Sequence, residues 1–321
     1  MKRMGEDVRD VIKGSEQDKA ERIFFDAIKS LVAGGSVVEI KAHSENKHME
    51  QAARRVEKLG RVAKEVDKFR AEVFQQYEGK KDREEIIEAL KLMLLVHIDH
   101  RDRSDTGLPA VSHPLKVARM VLEYARGMLH SVDVVVSALL HDTIEDEARM
   151  LHLERELGFS KRAGSESKDR SAGLRTIEDL FGPGAKNLIA GLSGPIRTGN
   201  PSEEEKHKAY FAYIKEIFED TDNPARAVIK WADLQDNALT VGLIKERAEV
   251  AKNSEDPAIV KDAPVISEFY HSRVKKYKRV LEKIVLPFFE KISENHPLFA
   301  QKDTAISRIK EVLKTYYSLT A

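Results

Sequence analysis

The sequence predicts an all-α fold. Along most of the 321 residues, apolar side chains recur at spacings of three and four, which place them on one face of an α-helix. Strand signals are scarce: the short stretch 37–41 is the clearest, and no partner strand for it is visible. No glycine-rich phosphate loop follows a strand-like segment. Together these observations predict a bundle of helices.

The first 81 residues predict an N-terminal helical extension. The first helix spans 17–33 and ends at Gly34 and Gly35, and a long helix with a coiled-coil-like apolar seam covers 49–77. The seam leaves two alternatives. The long helix packs back on the first as a hairpin within one chain, or it pairs with a second copy and forms a homo-oligomer.

Residues 82–294 predict the main domain, and 295–321 a C-terminal helix. Asp82 with Glu85, and Ser202 with Glu205, are spaced as capping boxes at helix starts. The polar stretch 147–175 is rich in charged, glycine and serine residues and predicts a loop inserted into this domain. The expected helices are 83–100, 114–128, 131–147, 176–192, 203–219, 224–244, 264–294 and 301–318.

Composition narrows the classes of partner. The chain has 54 basic and 54 acidic residues, so its net charge is zero. It therefore lacks the positive charge that would predict binding to nucleic acid or to an anionic membrane. It has no cysteine, which excludes disulfides, iron–sulfur clusters and thiol chemistry. The N-terminus lacks an apolar segment, and no run reaches the length of a membrane span. We therefore expect a cytoplasmic protein.

The six residues from His141 to Asp146, HDTIED, carry the strongest chemical signal. They follow the apolar run 134–140. If that run is helical, Glu145 lies one turn after His141, and Asp146 one turn after Asp142. Carboxylates this close repel one another unless a cation neutralises them. The motif therefore predicts a metal site.

Two other segments extend this ligand set. His113 stands immediately before Pro114, which favours a helix start, and Asp233 and Asn237 lie one turn apart on a predicted helix. A set of imidazole and carboxylate donors suits a borderline divalent ion such as manganese, iron or zinc. It suits calcium, or a zinc ion with a purely structural role, less well. The pattern predicts one such divalent ion held by residues far apart in sequence.

In order, these residues resemble the HD-domain metal-dependent phosphohydrolases. The HDxxED form, with an upstream GxPxxxHPxxVA and a downstream KxADxxxN, is similar to the (p)ppGpp hydrolase domain of stringent-response (RelA/SpoT-type) enzymes. The resemblance covers roughly residues 85–250. It implies an HD-domain helical bundle and removal of the 3′-pyrophosphate of a guanosine nucleotide.

The resemblance also implies roles for individual residues. Manganese is the usual metal in that family, and the matching ligands are His113, His141, Asp142 and Asp233. Glu145 and Asp146 match an acidic pair around the attacking water, and Asn237 matches an amide that contacts substrate. Arg103, Arg197 and Lys206, in or beside polar loops, are candidate phosphate contacts.

Three departures from the family pattern leave the substrate open. The basic run before Gly107 is altered at 101–106, and two further positions differ. Ala110 stands where the family prefers an aromatic residue, and Leu234 where it prefers arginine. These changes favour a first alternative, an HD phosphohydrolase for a different nucleotide. A second alternative is a non-catalytic nucleotide-binding regulatory module whose N-terminal helices mediate association.

Overall fold

The computed structural model describes residues 16–35, 47–100, 102, 107–128, 130–144, 166–194 and 201–317. Every regular element within these ranges is helical, which confirms the predicted all-α fold. None of the helices in the described ranges combines the length and the apolar composition that a membrane span requires.

The helices are described in chain order. The α-helices, numbered here in chain order, are α1 (Glu16–Ala33), α2 (Lys47–Gln76), α3 (Lys80–His97), α4 (Ser112–Tyr124), α5 (Ser131–Leu140), α6 (Glu166–Leu192), α7 (Glu203–Glu219), α8 (Pro224–Asn237), α9 (Val241–Lys252), α10 (Pro257–Val280), α11 (Leu286–Lys291) and α12 (Lys302–Val312). Wider π-helical turns continue α10 through Leu281–Val285 and α12 through Leu313–Tyr317, and a short 3₁₀ turn spans Phe299–Gln301.

Helix α5 is the centre of the bundle. It packs against α3, α4, α6 and α8, and all its residues from Val134 to Leu140 are buried. A helix that is apolar on every side is stable only when other helices surround it. The packing therefore sets where α5 ends, and its last residue directly precedes His141.

Several predicted helix boundaries were wrong. Helix α6 begins at Glu166 instead of 176, so 166–175 are helical, whereas 147–165 of the predicted insertion lie outside the described residues. Within α6, Gly182 has φ 81° and precedes Pro183, which breaks the helix into two segments. The predicted helix 224–244 is two helices, α8 and α9, joined through a turn at 238–240.

The two predicted capping boxes had different outcomes. The Ser202 hydroxyl accepts a hydrogen bond from the Glu205 N–H, and the Glu205 carboxylate accepts one from the Ser202 N–H, so this box is confirmed. The predicted box at Asp82 and Glu85 was wrong. Helix α3 starts earlier, after Gly79, and no side chain caps it.

The N-terminal helices pack onto the rest of the chain. Helices α1 and α2 contact each other, both contact α3, and α2 also contacts α4. The apolar seam of α2, including Leu59, Val66 and Phe69, is buried within one chain. One continuous hydrophobic cluster extends from Phe24 to Val312. Because this seam is already covered within the chain, dimerisation through α2 stays a prediction without support from these contacts. The predicted domain boundaries also stay predictions.

Helix α2 also holds the segment that leads to α4. Lys58 Nζ donates hydrogen bonds to the backbone carbonyls of Ile98 and His100, and Arg61 donates to the Asp102 carboxylate and to the Gly107 carbonyl. These bonds tie both ends of the segment 98–107 to one helix. Because α4 starts shortly after Gly107, α2 helps to place the first turn of α4.

Candidate metal centre

His113 lies in the first turn of α4, and the residue is only 8% exposed. Its Nδ1 lies 2.8 Å from Asp236 Oδ2, so Nδ1–H donates to this buried carboxylate. That bond leaves the Nε2 lone pair free. Nε2 faces two more carboxylates, at 3.2 Å from Asp233 Oδ1 and 3.5 Å from Asp142 Oδ2.

His141 follows the last residue of α5 and has a similar arrangement. Its Nδ1 lies 2.9 Å from the Ala138 carbonyl oxygen, to which Nδ1–H donates. The Nε2 atom is buried and has no hydrogen bond with a described residue, although it lies 3.2 Å from Asp142 Oδ1. A buried imidazole nitrogen without a hydrogen bond is costly unless a ligand occupies it.

Helix α8 supplies the third part of the site from its last two turns. Lys230 Nζ donates to Asp233 Oδ2 at 2.7 Å, which leaves Oδ1 facing His113. The Asn237 amide donates to the same Oδ1 at 2.5 Å. Because Lys230, Asp233 and Asn237 are three and four residues apart, one face of the helix carries all of them.

The arrangement of these donors fits a divalent ion. His113, His141 and Asp142 each offer one ligand atom, and these atoms all lie within 4.8 Å of one another. Ligand atoms bound to one metal at about 2.1 Å lie about 3.0–3.5 Å apart, and the contacts around His113 Nε2 and His141 Nε2 fall in this range. The Asp142 side chain is 38% exposed, so the cluster opens to solvent on this side, as a catalytic metal site requires.

Without a metal, a proton takes the place of the cation. Burial acts to lower the pKa of His113, but its contacts with Asp233 and Asp236, and the charge of Asp142, outweigh burial and raise that pKa to about 9. The protonated imidazole then neutralises the neighbouring carboxylates. The positive partners His141 and His113 in turn hold the pKa of Asp142 below its usual range, against the effect of burial.

Of the four predicted metal ligands, the structure groups His113, His141 and Asp142, and Asp233 lies beside them, with Oδ1 3.2 Å from His113 Nε2. It places Asn237 beside them, with Nδ2 3.4 Å from His113 Nε2. Lys206 lies in the first turn of α7 and pairs with Glu203. Four predicted site residues lie outside the described residues: Glu145, Asp146, Arg103 and Arg197.

The structure adds residues that the motifs did not predict. Asp236 and Lys230 orient His113 and Asp233, and each lies three residues from Asp233, so helical spacing could have indicated them. Arg273 in α10 approaches Asn237, with 3.5 Å between its guanidinium nitrogen and the amide oxygen. The same nitrogen donates to the Tyr277 hydroxyl at 2.8 Å.

A group of aromatic and basic side chains extends from Tyr277. The Tyr210 ring lies 6.1 Å from the Tyr277 ring, and the Lys276 ammonium lies 4.0 Å from the centre of the Tyr210 ring. Burial acts to raise the pKa of Tyr277, but the positive charges of Arg273 and Lys276 outweigh it and lower that pKa.

Comparisons with known proteins agree with the motifs over part of the chain. A guanosine-3′,5′-bis(diphosphate) 3′-pyrophosphohydrolase of Aquifex aeolicus (strain VF5) is 26% identical over 151 residues, which are 46% of this chain and 17% of that protein. The guanosine-3′,5′-bis(diphosphate) 3′-pyrophosphohydrolase MESH1 of Danio rerio is 34% identical over 61 residues, 19% of this chain and 33% of that protein.

The matched stretches thus span a third of one relative's length and less of the other's. No family model and no solved structure matches the chain. The predicted resemblance to (p)ppGpp pyrophosphohydrolases is confirmed as weak, partial homology.

Proposed function

We propose that this protein is a metal-dependent phosphohydrolase that removes the 3′-pyrophosphate of (p)ppGpp-type guanosine nucleotides. The grouping of His113, His141 and Asp142, whose ligand atoms lie within 4.8 Å of one another, carries the proposal. Both imidazoles use Nδ1 for a hydrogen bond and keep Nε2 for a ligand. The names of the two relatives support the nucleotide class.

In this proposal His113, His141, Asp142 and Asp233 hold the ion, which we propose to be Mn²⁺. When bound, such an ion supplies a polarised phosphoryl oxygen and a water of lowered pKa. Asp236 and Lys230 orient two of the ligands, as second-layer groups do in other metal sites.

The remaining residues act on water and substrate. Glu145 and Asp146 follow the His–Asp pair in the chain, and we assign them to orient the attacking water and accept its proton. Asn237 and Arg273 bind the phosphate groups, because an amide and a guanidinium beside the metal centre suit phosphate oxygens. Arg103, Arg197 and Lys206 remain candidate phosphate contacts.

A second candidate is a phosphohydrolase for a different nucleotide. Leu234 is fully buried in the core, so the position that the related family fills with arginine offers no charge to a substrate here. Ala110, at the loop before α4, offers no aromatic face for a base. Both observations favour a change in base recognition without a change in the metal ligands.

One experiment tests the reaction and separates the candidates. The full chain is stripped with a chelator, reloaded with Mn²⁺, Mg²⁺ or Zn²⁺, and incubated with ppGpp, pppGpp, GDP, GTP and a cyclic dinucleotide, and products are separated by anion exchange. We expect pyrophosphate release from ppGpp. Hydrolysis confined to a nucleotide without a 3′-phosphate would support the second candidate, and binding without turnover would indicate a regulatory module.

Variants connect this activity to the site. We expect His141→Ala and Asp233→Asn to lose bound metal and turnover together, because each removes a proposed ligand. Asp222→Asn, at an exposed position, is the matched control and should retain both. Full metal content in both site variants, measured by mass spectrometry, would reject the ligand assignment.

A further inference from the structure

A concave groove lies beside the candidate metal centre. It is a groove of about 800 Å³ bordered by α2, α4, α8 and α12. This volume is in the range of small-molecule sites. The groove lining includes Asp236 but not His141, Asp142 or Asp233. It is therefore separate from the metal cluster, yet it shares the carboxylate that orients His113.

Charged and amide side chains line this groove. Its basic residues are Lys116, Arg119, Arg126 and Arg308. Arg119 forms a two-point ion pair with Glu72, whereas Arg126 and Arg308 are exposed and form no ion pair with a described residue. Two guanidinium groups at one groove, without carboxylate partners in the described chain, suit an anion with several oxygen atoms.

We propose that this groove binds a phosphate-bearing small molecule as an effector of the metal centre. Arg126 and Arg308 bind its phosphate, and Lys116 contributes a third positive charge. Gln235, whose Nε2 donates to the Tyr124 hydroxyl, keeps its amide oxygen for a polar group of the same ligand. The effector site is distinct from the substrate site, because Arg126 and Arg308 line the groove, whereas the proposed substrate contacts lie at the metal cluster.

Asp236 connects the two sites. Its Oδ2 accepts from His113, while its Oδ1 lies 3.6 Å from Lys116 Nζ. A phosphate drawn to Lys116 weakens the hold of Lys116 on Asp236. More of the negative charge of Asp236 then acts on His113, which makes His113 a better metal ligand. The effector therefore strengthens metal binding, and by reciprocity the metal strengthens effector binding.

The binding test uses metal-free full-length protein titrated calorimetrically with AMP and with inorganic phosphate. We expect the double variant Arg126→Gln/Arg308→Gln to bind AMP and phosphate roughly tenfold or more weakly, since each substitution removes a charged hydrogen-bond donor. Arg54→Gln/Lys208→Gln, which removes two exposed charges elsewhere, and His141→Ala should bind as the unmodified protein does. Thermal unfolding of each variant verifies its folding.

The outcomes separate the groove from the metal centre. Loss of binding only in His141→Ala would place the ligand at the metal cluster and overturn the proposal, as would equal loss in the charge control. Absence of binding by both probes at millimolar concentration would also overturn it. The readout needs no turnover, so failure of the proposed hydrolase activity leaves this test intact.

A second measurement tests the connection through Asp236. Mn²⁺ affinity is measured with and without saturating AMP and corrected for the Mn²⁺–AMP complex. We expect AMP to tighten Mn²⁺ binding to the unmodified protein and to have no effect in Arg126→Gln/Arg308→Gln. Unchanged Mn²⁺ affinity in the unmodified protein would reject the effector role.

Discussion

Replacement of Asp236 tests how the protein tunes its proposed metal ligand. Asp236 accepts the Nδ1 proton of His113 across 2.8 Å and is only 6% exposed, so water has little access to replace it. Asp236→Asn retains an oxygen acceptor but removes the charge. Asp236→Ala removes both. His113 Nε2 should therefore become a progressively weaker ligand in the two variants.

The expected magnitude follows from the number of interactions removed. Loss of a group that orients a metal ligand costs about 10- to 100-fold in metal affinity. We expect roughly tenfold weaker Mn²⁺ binding for Asp236→Asn, because the acceptor remains, and roughly 100-fold for Asp236→Ala. These losses correspond to about 1.4 and 2.8 kcal/mol.

Mn²⁺ competition against a fluorescent chelator, with chelator-treated protein, gives the affinities, and Asp222→Asn is the exposed control. The pH profile distinguishes orientation of His113 from simple destabilisation. Asp236 contributes to the raised pKa of His113, so in Asp236→Asn the rise of Mn²⁺ affinity with pH should level off at a lower pH. Affinities within twofold of the unmodified protein in both variants would refute the assigned role.

Four other predictions address catalysis, substrate binding, titration and stability. Glu145→Gln should retain Mn²⁺ while turnover falls about 100- to 10,000-fold, as expected for loss of a general base; an unchanged rate in a turnover assay would remove Glu145 from the mechanism. Arg273→Ala should raise KM for ppGpp roughly tenfold with a smaller change in kcat, because Arg273 and the neighbouring Asn237 are the proposed phosphate contacts; steady-state kinetics with the opposite split would contradict this role. Because the pKa of His113 is raised to about 9, its protonated imidazole stabilises the folded metal-free protein fully below about pH 6.5, and this stabilisation is lost as pH rises through about 9. Mn²⁺ affinity should increase over the same range, because the ion competes with that proton. Urea unfolding and Mn²⁺ titration across this range test the two trends. Trp231→Ala should destabilise the fold by about 3–5 kcal/mol, because its fully buried ring packs 4.7 Å from Phe289; a loss below 1 kcal/mol in urea unfolding, roughly the cost of a surface change, would be inconsistent with that packing.

Local sequence signals predicted part of the fold. Helix α7 spans the predicted residues 203–219 because a capping box starts it and its apolar spacing is regular, and both features act within a few residues. Boundaries that depend on packing were wrong. Pro264 was expected to start a helix, but α10 begins at Pro257 and contains Pro264, since contacts with α9 hold the helix together across the proline.

The motifs likewise predicted the candidate metal ligands but not the groups that contact them. His113, His141, Asp142 and Asp233 are recognisable because their order and spacing follow the chemistry of a mixed imidazole and carboxylate site. No local pattern shows that Asp236, 123 residues from His113, accepts its Nδ1 proton. That contact depends on how α4 and α8 pack.

The sequence by itself determined the helical class, the candidate ligand set and the absence of cysteine chemistry, because residue type and helical spacing express each of these locally. The tertiary structure alone decided which nitrogen of each histidine is free, which carboxylate each one faces, and that Arg273 reaches Asn237. These properties depend on distances between helices. Such distances follow from the packing of the whole core around α5 and from no single segment of the chain.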